Sequence, residues 1–118
     1  MKSIIVYHLC GKTRELPMEL TFGGDVGLTE QAWKGQLEGA SYKKVVTFLV
    51  GDHQEADELL DTIFEVTNTI DAPWYENPDP LMATEPPHQF RSTSVGDIIV
   101  TPKNKWLVMG CGFEKLDV

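Results

Sequence analysis

The sequence predicts an α+β domain: a small mixed or antiparallel sheet, one main amphipathic helix over about 53–68, a shorter helix over about 28–38 and a C-terminal β-hairpin unit. Three observations predict it. β-branched and aromatic runs stand at residues 3–9, 42–50 and 97–101. Residues 56–67 repeat their apolar side chains at helical spacing. The length, 118 residues, suits a single domain with one hydrophobic core.

Taken in order, residues 3–9 (SIIVYHL) read as a strand buried on both faces. Residues 11–27 hold Pro17 and the Gly23-Gly24-Asp25 cluster, which marks a loop or hairpin with a short strand around 18–22. Leu28, Ala32, Trp33 and Leu37 fall near helical spacing, and Gly39 supplies a stop. Residues 42–50 (YKKVVTFLV) are a second strand. Asp52 and Glu55 then stand as a capping-box-like pair ahead of the main helix. In that helix Ala56, Leu59, Leu60, Ile63, Phe64 and Thr67 form the buried face. Residues 69–90 carry Pro73, Pro78, Pro80, Pro86 and Pro87 and show no helical or strand period. Trp74, Tyr75, Leu81, Met82 and Phe90 imply that part of this loop lies against the body. The rest is a β-unit: a strand over 97–101, a turn over 102–105, a returning strand over 106–109, a bend or bulge at Gly110-Cys111-Gly112 and a last strand over 113–116.

Charge is unevenly placed. Residues 51–90 hold ten acidic groups and no Lys or Arg, while the segments on either side are each +1, giving the net −8. That distribution opposes generic binding to nucleic-acid phosphates. No apolar run is long enough to span a membrane. The N-terminal apolar run stops at His8 with no small-residue cleavage site after it, so a first strand is expected rather than a signal peptide. Cys10 and Cys111 are too few for a secreted disulfide scaffold and read as buried free thiols. From these features a cytoplasmic location is expected.

Signals for catalysis are weak. No phosphate-cradling glycine loop occurs. Ser94 has no nucleophile-elbow context, and no His is tied to Ser94 or Asp97 by sequence, so neither reads as nucleophile or general base. Ser92 and Ser94 instead suit local backbone bonding, and Gly96 a turn into the strand. His8, Cys10, His88 and Cys111 lack the spacing of a compact zinc site. No enzyme activity, metal or cofactor is therefore expected.

The stretch Ser92-Thr93-Ser94-Val95-Gly96-Asp97-Ile98-Ile99-Val100, then Trp106-Leu107-Val108 and Gly112-Phe113-Glu114-Lys115-Leu116, resembles the closing motif of the YodL-like domain family. Val6-Tyr7-His8-Leu9 is similar to that family's opening strand, and residues 60–68 to its central helix. The sequence departs from the pattern in its long acidic loop over 69–90 and in residues 11–39, which have no counterpart. The resemblance implies a phage, plasmid or conjugative-element setting. It brings no established catalytic residues.

The acidic block is the feature that points to a task. Asp57, Glu58, Asp61 and Glu65 are like-charged neighbours on the main helix, each close pair costing about 0.2–0.5 kcal/mol, with no basic residue in the helix to offset them. Trp74 and Tyr75, with Glu76 and Asp79 close by, suit a binding patch with aromatic anchors. The expectation is a non-enzymatic accessory protein that engages the basic surface of a host or viral protein, such as a host defence or regulatory protein. One alternative is a DNA-mimic inhibitor of a host nuclease. The helix acids are ~4.5–6 Å apart along the axis and duplex charges ~1.7 Å apart, so a mimic needs the loop acids as well. A second alternative is a small β-barrel-like RNA- or DNA-binding module using Lys103, Lys105, Trp106 and Lys115.

Overall fold

The computed structural model describes residues 1–11, 25–68 and 72–118. The expected loop over 11–27, apart from its two ends, and the short strand around 18–22 lie outside these residues. The strands are β1 (Lys2–Cys10), β2 (Ser41–Val50), β3 (Met82–Thr84), β4 (Ile98–Val100), β5 (Lys105–Met109) and β6 (Gly112–Lys115). They form one antiparallel sheet in the order β3-β2-β1-β4-β5-β6. Helix α1 (Val26–Trp33) follows β1, and a 3₁₀ turn (Ala56–Leu59) runs directly into α2 (Leu60–Val66). The protein is thus of the α+β class, and its C-terminal strands complete the same sheet that β1 and β2 begin.

Two apolar layers follow from the alternation of side chains along β1. Ile4 and Val6 join Val46, Phe48, Ile99 and Val108 on the face covered by the 3₁₀ turn, α2 and Trp74. Tyr7 joins Ile98, Leu107 and Leu116 on the other face, which Val26 and Trp33 of α1 cover. The all-apolar reading of β1 is explained by this two-sided cover. Ile4 and Val6 are fully buried, while Ile5 and Tyr7 are half-buried.

One irregularity decides which residues meet α1. The β1–β2 register shifts between Val6 and Tyr7, where Val6 pairs with Val46 but Tyr7 with Lys44. Val45 is the extra residue, and Val45 and Val46 both enter the α2-side core. Beyond this bulge the period is inverted, so Tyr42 packs on the α1 side with Trp33, at 5.8 Å between ring centroids.

Both helices are shorter than the sequence predicts. Asp25 caps α1 by accepting the Leu28 N–H at 3.0 Å. The helix ends at Trp33, and Gly35 takes φ 72° in the turn beyond it. Leu37 still packs against Ala32 and Ala40, but from this turn. The capping box is not formed. Asp52 pairs with the N-terminal ammonium at 3.2 Å, Glu55 makes no side-chain cap bond, and Gln54 accepts the Gly51 N–H at 2.9 Å. Tertiary partners have replaced the local cap. Cys10 is half-buried and Cys111 exposed, both free, which corrects the expectation of two buried thiols. Strand β3 falls in the segment without a strand period, because three residues are too few to show one. It is held by its pairing to β2 and by Leu49 N–H to Leu81 C=O and Glu85 N–H to Val45 C=O.

Asp57 fastens the 3₁₀ turn to the sheet. Its carboxylate accepts from the Thr101 hydroxyl at 2.5 Å, the Trp106 indole at 3.0 Å and the Asn104 amide at 2.8 Å. Asp57→Ala strands those donors, so urea unfolding is expected to show a loss of about 1–3 kcal/mol. Glu58→Ala, on an exposed neighbour, is expected to change stability by less than about 0.5 kcal/mol.

Candidate functional site

The acidic residues of 51–90 divide by what holds them. Asp52 and Asp57 are bound as described above. Glu55 pairs with Lys103 at 3.5 Å and Glu85 with Lys44 at 3.7 Å. Asp79 is exposed, and its carboxylate accepts the Leu81 N–H at 2.9 Å. Glu58, Asp61, Glu65 and Glu76 are exposed, and among the described residues none of these four has an ion-pair partner. Glu58, Asp61 and Glu65 follow one another at three- and four-residue spacing and so share one side of the helical segment.

Burial alone would raise the Asp57 carboxyl. The bonds from Thr101, Trp106 and Asn104, with Lys103 nearby, outweigh that and hold it below its ordinary value. Asp57 is an internal tie, and its assignment to a partner-binding surface is corrected. The same holds for Trp74, which is 4% exposed, stacks on Phe90 at 6.1 Å and donates its indole N–H to Arg91 C=O at 3.0 Å. Tyr75 is half-buried against it. A large ring with its N–H satisfied belongs inside, so this aromatic pair clips the proline loop to the body instead of projecting as an anchor.

The acidic side of α2 borders an open groove of about 190 Å³ lined by Asp61, Phe64, Val95, Met109, Gly110 and Phe113, with Gly112 and Val108 completing it. Phe64 and Phe113 meet edge to face at 6.5 Å between centroids. Val95, Gly112 and Phe113, expected only as scaffold, are thereby brought next to Asp61.

Ser92, Ser94, Gly96 and Asp97 build a different structure. Asp97 is 0% exposed and takes a bidentate pair of bonds from Arg91, both 2.7 Å, as well as the Leu9 and Ser94 N–H groups at 2.8 Å each. Ser94 Oγ lies 3.4 Å from Arg91 Nη1, and Ser92 C=O accepts from that same nitrogen at 2.9 Å. Gly96, at φ 97°, accepts the Tyr42 hydroxyl on its carbonyl at 2.7 Å. The bonds to Asp97, with its charge nearby, raise Arg91 above its usual value against the opposing effect of burial. Burial, followed by the same carboxylate, raises Tyr42.

His8 completes the cluster and has no signal of its own in the sequence. It is 4% exposed, its Nε2 lies 3.0 Å from Thr93 Oγ1, and it is 3.8 Å from Asp97. Burial lowers its pKa to about 4 despite the Asp97 charge. The imidazole is therefore neutral near pH 7.

The basic patch of the nucleic-acid alternative is largely committed. Lys103 pairs with Glu55, Lys105 donates to Val118 C=O at 3.0 Å, and the Trp106 indole donates to Asp57. Among the described residues no three His, Cys, Asp or Glu side chains converge as metal ligands, and no helix is long and apolar enough to cross a membrane. Neither a protein-family model, nor a curated protein, nor a solved structure matches the chain.

The His8 shift sets the sign of a pH dependence. Its folded pKa of about 4 lies below the ordinary 6.5, so the unfolded chain binds more protons between those values. Stability from the neutral, buried ring is present above 6.5 and falls by roughly 3 kcal/mol as pH drops to 4. Urea unfolding across this window should show that slope in the wild type and a flatter one in His8→Gln.

Proposed function

We propose that the protein is a non-enzymatic accessory protein of a phage or other mobile element, and that it acts in the host bacterial cytoplasm by binding another protein through the acidic side of α2. The observation that carries this reading is the set of three exposed carboxylates, Glu58, Asp61 and Glu65, held together without a counter-charge among the described residues. Like charges at this spacing cost about 0.2–0.5 kcal/mol per pair, a penalty that a basic partner would turn into attraction. Asp52, Glu55, Asp57 and Glu85 of the same block are paired or bonded internally, whereas these three sit together on one side of the helical segment. The YodL-like resemblance of residues 92–116 supplies the mobile-element setting, and a host defence or regulatory protein with a basic surface is the partner that fits it.

Complementary charge mainly governs encounter and specificity, so binding should weaken with salt. The direct test is capture from bacterial lysate, comparing the wild type with Glu58→Lys/Asp61→Lys/Glu65→Lys. The triple variant, folded as judged by its unfolding midpoint, is expected to lose a partner that the wild type retains at low salt. Identical capture by both proteins would rule the acidic side out.

A further inference from the structure

We infer that the groove between α2 and the β5–β6 turn receives one large apolar side chain of a basic peptide segment, whose flanking Lys or Arg residues meet Asp61, Glu58 and Glu65. This rests on the protein-binding reading above and specifies what that side of the protein takes. At about 190 Å³ the groove is smaller than the ~300–1,000 Å³ of small-molecule sites, which favours a single side chain over a cofactor. Its walls are apolar, from Phe64, Val95, Met109 and Phe113, and its one charged lining residue is Asp61.

Charge complementarity selects the occupant. Asp61 lies on the rim, Glu58 one turn before it and Glu65 one turn after, about 5.4 Å per turn. In an extended peptide alternate residues share a face and are about 6.6 Å apart, so cations two positions before and two positions after the apolar residue lie on its side and close enough to reach successive acids. An acidic peptide or a nucleic acid would be repelled by the same three groups. Gly110 and Gly112 line the groove, and a Cβ at either would meet no atom within 4 Å, so the turn has room for an added side chain. Gly110 is the better position for a block, because Gly112 has φ 122° and a side chain there would be strained.

The test uses two synthetic probes, acetyl-Lys-Lys-Leu-Lys-Lys-amide and the same peptide with Ala in place of Leu, titrated at low salt while backbone amide shifts are followed by NMR. The Leu peptide is expected to shift the amides of Phe64, Cys111 and Phe113 and to bind about tenfold more tightly than the Ala peptide. Gly110→Phe, with an unchanged unfolding midpoint, is expected to remove that advantage. Equal affinity of the two peptides for the wild type overturns the inference without recourse to any variant, as does a Leu advantage that survives in folded Gly110→Phe. The Glu58→Lys/Asp61→Lys/Glu65→Lys variant separates the two levels. If it weakens both peptides while Leu gives no advantage, the acidic side stands and the groove does not; if it changes neither, both fail.

Discussion

Asp97 sits fully buried at the head of β4 and accepts bonds from Arg91, Leu9 and Ser94. A carboxylate taken out of water costs several kcal/mol unless it is paired and its lone pairs are filled. The chain around it is arranged to meet that demand. Strand β4 starts at Ile98, so the Leu9 N–H would lack a ladder partner, and the Asp97 side chain takes its place. Arg91 reaches back to Asp97 and also donates to Leu9 C=O at 3.2 Å and Ser92 C=O at 2.9 Å. Within the same segment Thr93 N–H bonds Thr67 C=O at the end of α2, and Gly96 receives Tyr42 from the α1 side. The ion pair holds the end of β1, and with these neighbouring bonds it joins that end to the end of α2 and to the entry of the C-terminal strands.

Asp57 does the equivalent at the opposite end of β4, where Thr101 is its partner. Asp97, Ile99 and Thr101 lie at alternate positions, so the α2-facing side of β4 has an apolar centre and a polar tie at each end. These ties settle which acids are available for anything else. Asp57 is consumed in holding the 3₁₀ turn, and the turn so held directs Glu58, Asp61 and Glu65 outward. The same frame carries Val95 to the groove beside Phe113. Asp57 and Glu58 are consecutive and differ in the direction each side chain takes, Asp57 towards Thr101 and Glu58 outward.

Much of the fold was legible because it rests on local pattern. The runs at 3–9 and 42–50, the helical spacing of Leu60, Ile63 and Phe64, and the turn ahead of Trp106 each announce their element. What the pattern hid depends on distant partners. The Val45 bulge requires knowing how β1 pairs with β2. Asp57 and Glu58 are adjacent acids in the sequence, and only the position of Thr101, 44 residues away, separates their roles. Trp74 beside acids resembles an exposed anchor until Phe90 stacks on it. His8 reads in the sequence as the end of an apolar run and a zinc-ligand candidate without the right spacing, while its neighbour Asp97 lies 89 positions on. Asp97 reads in the sequence as the first residue of a strand, which in the structure begins one residue later at Ile98, and nothing local signals its ion pair.

The central claim, that the Arg91–Asp97 pair organises the fold, is tested most directly by a double-mutant cycle of Arg91→Met and Asp97→Asn read by urea unfolding. Each single change is expected to be strongly destabilising, with the two coupled by about 2–3 kcal/mol. Additive effects, with a coupling below about 0.5 kcal/mol, would contradict it.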